Sequence, residues 1–209
     1  MSVGLVQRAM NVLTKPATEW DVIAGETATT QGLFVGYACI LALIPFFGSL
    51  LGRVIIGGLF GGGIGLVGAL IGGLLTGAVT YALTLGVVFA VALIINVLAP
   101  SFDAKTDTVQ ALKVSIYSST PVWVAGVLAW IPILNFLVYI AAVAYGCYLL
   151  YLGIQKVVKP PTEKAIGLTI VVILVEVVLF GIAFWIAFLV SLMAAFGAAA
   201  STVAATGGG

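Results

Sequence analysis

One carboxylate stands where carboxylates are rare. Glu176 lies in the apolar run that begins near Ala165, about 16 Å along a helix from that point and so near mid-bilayer. An ionised carboxylate at that depth costs on the order of 3 kcal/mol even on a lenient insertion scale. Glu176 is therefore expected to face a bundle interior and to find a hydrogen-bond partner or a cation there. Tyr145 and Tyr148, in the preceding apolar run, are the favoured hydroxyl partners, and Tyr81, Thr80 and Thr84 lie near the same depth. Two roles stay open for this candidate intramembrane polar site: polar glue between helices, or a proton or cation site.

Little else has the residue types for chemistry. The chain holds no histidine, which removes His-based acid–base catalysis, Ser-His-Asp triads and most zinc or haem sites. Cys39 and Cys147 both fall in apolar runs and read as small packed hydrophobes, not as a disulfide framework. Gly63-Ile64-Gly65-Leu66-Val67-Gly68 spells G-x-G-x-x-G. No strand precedes it, no acidic residue follows at the right distance, and no Gly-Lys-Ser/Thr follows it. Its glycines, including the spaced pairs Gly61/Gly65 and Gly68/Gly72, read as helix-packing positions or as a re-entrant break. Lys156, Lys159 and Lys164 read as topology anchors, and Asp103, Asp107 and Glu163 as solvated loop charges. No catalytic residue, metal site or cofactor is expected. The net charge of +1 gives no sign of a nucleic-acid partner.

The elements that must position Glu176 follow from composition. Of the 209 residues 63% are hydrophobic and 7% charged, against roughly 25% charged in a soluble domain. The solvent for most of this surface is lipid, so the fold class is all-α: a polytopic helical membrane bundle. Residues 1–31 form a cytoplasmic N-terminal segment. Leu5, Val6, Ala9, Met10 and Leu13 recur at helical spacing, which predicts a short amphipathic helix lying on the membrane. Pro16 ends it, and Thr18 is expected to cap a second short turn, Glu19 to Gly25, with Trp20 at headgroup level. No cleavable signal peptide is expected, because the first long apolar run begins near Leu33. A transmembrane domain spans 32–190, and a loose, low-complexity tail is expected over 191–209.

Charge sets the number of spans. With five spans and the N-terminus inside, seven of the eight basic residues face the cytoplasm and only Arg53 lies outside. Six spans reduce the best split to six against two, so the positive-inside rule favours five. The run from Val54 to Leu98 then holds an interfacial or re-entrant piece, Arg53 to Gly63, and one long helix from about Ile64. The run from Ile116 holds two spans in a tight hairpin, with Pro132 ending the first and Asn135 starting the turn. Trp123 and Trp130 are expected towards opposite membrane faces, with Trp185 near the outer one.

Together these residues resemble the Yip domain family, the Ypt/Rab-interacting integral membrane proteins, in its bacterial branch. The resemblance starts at Pro16-Ala17-Thr18-Glu19-Trp20 with Glu26 after it, and continues through Tyr37 and Pro45. It is strongest at Tyr117-Ser118-Ser119-Thr120-Pro121, then Ile131-Pro132, Tyr148, Tyr151, Gly153 and Lys164-Ala165, and it extends to about Phe184. It implies five transmembrane helices, a cytoplasmic N-terminus and a C-terminus on the opposite side. In eukaryotic members it implies vesicle trafficking and contact with prenylated small GTPases. This chain lacks the Asp-Leu-Tyr-Gly-Pro segment of those members, so GTPase binding is not carried over.

Two functions from different classes follow. One is a non-enzymatic inner-membrane protein that organises membrane proteins or shapes the bilayer, its partners being lipid and either another membrane protein or further copies of itself. The alternative is a small oligomeric ion or solute transporter or channel built on Glu176 and the glycine-broken segment.

Overall fold

The computed structural model describes the backbone of residues 4–206, and the side chains of all of these except 57, 60–65, 132 and 198–206. Every regular element among them is helical. Helices α1 (Leu5–Thr14) and α2 (Pro16–Gly25) come first. Pro16 both ends α1 and opens α2: it cannot donate to the preceding turn, yet its fixed φ suits a first helical position. The second helix therefore starts earlier than the expected turn at Glu19. Thr18 lies inside it, its hydroxyl donating to the Lys15 carbonyl at 3.1 Å instead of capping.

Thr29 caps α3 (Thr30–Leu33), its hydroxyl accepting from Gly32 N at 3.0 Å. A π-helical turn, Phe34–Ala38, leads into α4 (Cys39–Leu41) and then α5 (Leu43–Leu98). A straight helix would place residues 50 and 73 roughly 35 Å apart. Instead, a Cβ added at Gly73 would lie 2.9 Å from Leu50 Cδ1, and one at Gly77 2.8 Å from Phe46 Cε2. Thus α5 is two antiparallel arms that reverse between Gly58 and Leu66. The segment expected to be interfacial or re-entrant, Arg53 to Gly63, only overlaps this reversal: Arg53 to Ile56 still belong to the first arm. The apolar helices either side of it run from Thr30 to Ile56 and from Leu66 to Phe102.

After a loop, Asp107 caps α6 (Thr108–Ser118) by accepting from Gln110 N at 2.9 Å. Next come α7 (Thr120–Ala125) and a 3-10 turn, Gly126–Leu128. Together α6 and α7 are the innermost rod, with every residue from Ala111 to Pro121 buried. Helix α8 (Pro132–Gly153) begins at Pro132, so Asn135 sits in its first turn, donating its N–H to the Ile131 carbonyl at 2.8 Å, and not in the connection. A second π turn, Ile154–Val158, closes α8, and α9 (Thr162–Thr206) completes the chain. Helical backbone thus continues to Thr206, through most of the segment expected to be a loose tail.

Glycines set how closely the rods approach. A Cβ at Gly48 would lie 2.2 Å from the Gly126 carbonyl oxygen, and one at Gly126 2.5 Å from Pro45 Cβ. This contact pins the first arm to the inner rod near Trp130 and Arg53. At the other end Gly153 accepts the Trp20 ring, with a hypothetical Cβ 2.7 Å from Cη2. Trp20 and Trp123 are buried inside the protein and are not lipid-belt residues, whereas Trp130 and Trp185 are exposed. Among the described residues four helices are long and apolar enough to cross a membrane: Thr30–Ile56, Leu66–Phe102, Ile133–Val158 and Thr162–Gly197. Their outward faces carry large exposed apolar side chains such as Ile133, Phe136, Val177 and Phe184, the surface expected of helices solvated by lipid.

Candidate functional site

The densest polar chemistry lies at one end of the bundle, where α1 and α2 dock on the inner rod. On α1, Arg8 and Asn11 are one turn apart and share a face. On α2, Glu19 falls in the first turn, and Glu26 follows the last. The Arg8 guanidinium is 5% exposed and bridges both acids. Nη1 donates to Glu19, and Nη2 donates to the Glu26 carboxylate at 2.5 and 2.6 Å. Asn11 Nδ2 adds a 3.0 Å hydrogen bond to the second Glu19 oxygen. Burial works against the Arg8 charge, but the hydrogen bond and charge of Glu26 outweigh it and hold the guanidinium more firmly protonated than usual.

Lys113 reaches the same place from α6. It is 1% exposed, and its Nζ donates to the carbonyls of Ile23 at 2.9 Å and Glu26 at 2.5 Å. The last turn of a helix leaves carbonyls without partners at its negative end, so this cation caps α2 from another element. One turn further along α6, Tyr117 places its ring 5.9 Å from Arg8 Cζ, within cation–π range. Its ring centroid is 4.8 Å from Tyr37 and 6.3 Å from Trp20, both edge-on. The π turn in the first span brings Tyr37 inward, where its hydroxyl meets Thr120 Oγ1 at 2.9 Å. Ser115 donates to the Val88 carbonyl at 2.6 Å, and Ser118 and Ser119 both donate to the Ser115 carbonyl. A buried polar column therefore runs along α6 from Lys113 to Thr120, closed at one end by the charged cluster.

Helix α1 turns its polar face inward. Arg8 and Val12 are buried, while Val6 and Met10 of the apolar stripe are 67% and 55% exposed. Two exposed ion pairs tie the same end together: Lys156 with Asp21 at 2.8 Å, and Lys164 with Asp103. The sequence missed this cluster because its members lie far apart along the chain. The available signal was Arg8/Asn11 and Lys113/Tyr117 at one-turn spacings, facing two glutamates two turns apart.

The sequence-predicted polar site is arranged differently. Glu176 is half-buried on α9 and has no hydrogen bond or ion pair among the described residues. Tyr139 and Cys147 of α8 lie near it. Tyr145 instead donates to the Leu13 carbonyl at 2.8 Å, tying α8 to α1, and stacks at a tilt on Tyr148, which is 45% exposed. Of the packing glycines, Gly72 faces Ala194 of α9 at 3.8 Å. Gly61 and Gly65 lie outside the described side chains, and Gly68 is half-exposed on the second arm. Cys39 and Cys147 are free thiols. No cluster of His, Cys, Asp and Glu suited to a metal ion occurs among the described residues.

Apolar spanning helices around a buried polar core define a multi-pass α-helical integral membrane protein. The family model for the Yip1 domain matches residues 10–184, and the chain belongs to that family. The match takes in Asn11, Glu19, Glu26, Lys113 and Tyr117 of the charged end. Comparison with curated proteins and with solved structures gave no match.

Proposed function

We propose that this protein is a non-enzymatic membrane organiser that gathers other membrane proteins or shapes the bilayer, crossing the inner membrane five times. In this reading α6 and α7 form the third crossing, the charged cluster lies at the cytoplasmic face, and the C-terminal end of α9 lies outside. The split of basic residues supports the orientation. The Yip1 domain family is one of non-catalytic membrane proteins.

The observation that carries the proposal is α9. It packs along one side on α5, with Gly72 against Ala194, and on the 3-10 turn Ala99–Phe102 that follows α5, with Gly167 against Phe102. Its other side exposes Val177, Val178, Phe184 and Trp185, each more than half accessible. Such a face offers a broad lateral surface to lipid or to a neighbouring membrane helix. Crosslinking in native membranes from positions 177 and 184, followed by identification of the attached chains, tests this. A reproducible membrane-protein partner is the expected result. Specific ion flux from a reconstituted homo-oligomer that captures no partner would replace this reading with the transporter one, which the Glu176 carboxyl, without a partner among the described residues, favours.

A further inference from the structure

We infer that α1 and α2 form a latch with a docked and a released position, held shut by Arg8 and Lys113. In the docked position α1 and α2 cap the polar column of α6. The hinge is built in: residues 26–29 carry no helix, and Thr29 separately caps the first span. Glu26 lies in that hinge and takes both locking contacts, its carboxylate from Arg8 and its carbonyl from Lys113.

The physical balance makes the ionic contacts decide the position. Trp20 and Ile23 are fully buried when the latch is shut. In water their release would hold the latch closed. At a membrane surface lipid receives them instead, so their burial counts for little. Trp20 even gains, since its buried indole N–H has no hydrogen-bond partner among the described residues in the docked position and the headgroup region supplies one. Buried ion networks are in turn weak net stabilisers, because desolvation consumes most of the attraction, and switching is among their best-attested uses. Helix α1 has a second resting place as well. Docked, it buries Arg8 and exposes Val6 and Met10. Released, it lies with Val6, Ala9 and Met10 in the lipid interface and Arg8 in water.

The test uses the full chain with Cys39→Ser and Cys147→Ser, reconstituted in phosphatidylethanolamine–phosphatidylglycerol vesicles. Spin labels at positions 10 and 159 report the latch, and labels at 133 and 193 report the bundle. Arg8→Ala is expected to raise the released population at least about tenfold, since it removes the charge-assisted hydrogen bonds to Glu19 and Glu26. The 133–193 distance stays fixed, and a label at position 9 gains contact with lipid-dissolved oxygen. Arg8→Lys is expected to fall between the two. An unchanged 10–159 distance in Arg8→Ala overturns the latch. So does loss of the 133–193 distance, which makes the cluster part of the folding core, and so does a position-9 label that becomes water-exposed.

Discussion

Lys113 Nζ, on the innermost rod, donates to the carbonyl oxygens of Ile23 and Glu26, at 2.9 and 2.5 Å. A cation from one element thereby completes the end of a helix from another. Lys113→Met keeps the stem and removes three donors, leaving the closing carbonyls of α2 unpaired. The expected cost is about 1–3 kcal/mol, seen as a lower unfolding midpoint in detergent. Lys113→Arg recovers part of it. A Met variant as stable as the parent would show that the contact contributes nothing.

The crossing of the first arm and the inner rod rests on missing side chains. Gly48→Ala drives a methyl group against the Gly126 carbonyl oxygen, 2.2 Å from the ideal Cβ position, and is expected to destabilise by about 1–3 kcal/mol. Gly181, with open space around it, is the control. Alanine there is expected to be neutral or to stabilise by about 0.5–1 kcal/mol, as for glycine replaced within a helix. Matching effects at the two positions would contradict the close approach.

Tyr37 and Thr120 share the hydrogen bond that joins the first span to the polar column. Hydrogen bonds between helices in membranes average about 0.6 kcal/mol. A double-mutant cycle on Tyr37→Phe and Thr120→Val is therefore expected to give a coupling of that order. A coupling of zero would mean that the two hydroxyls are satisfied separately.

Glu176 has a different test. As polar glue on the α8–α9 seam it tolerates Gln, which also donates and accepts, and Glu176→Leu is expected to cost about 1 kcal/mol or less. Unfolding measurements and flux measurements on the same reconstituted samples separate the roles. A Gln variant that folds normally but loses a specific ion flux would assign the carboxyl to ion handling.

Composition and charge alone made the helical membrane class legible, because lipid leaves few structural choices and shows in every apolar run. The family was legible from the order of Glu19-Trp20, Tyr117 to Pro121 and Ile131-Pro132. The charged cluster was not. Arg8 falls in a helix whose apolar stripe predicts a surface position, and nothing local shows that its polar side is the buried one. Lys113 entered only the count of basic residues, because its partners are backbone carbonyls, which leave no mark in a sequence. Trp20 and Trp123 fit an aromatic belt by type, and only the packing against Gly153 and within the inner rod shows that they belong to the core. The reversal near residue 62 was legible as a break, since its glycines depart from an ordinary spanning helix, but its form was set by contacts across the hairpin, Leu50 with Gly73 and Phe46 with Gly77.

The account stands most directly on which side of the membrane each loop occupies. Single cysteines at positions 15, 105, 159 and 53, placed in a background without Cys39 and Cys147, can be labelled from either side of sealed, oriented vesicles with a membrane-impermeant maleimide. All four native side chains are exposed, so access is limited by the membrane and not by burial. The expected result is reaction at 15, 105 and 159 from the cytoplasmic side alone, and at 53 from the outside alone. Labelling of position 159 only from the outside would contradict the five-crossing arrangement and the placement of the charged end at the cytoplasmic face.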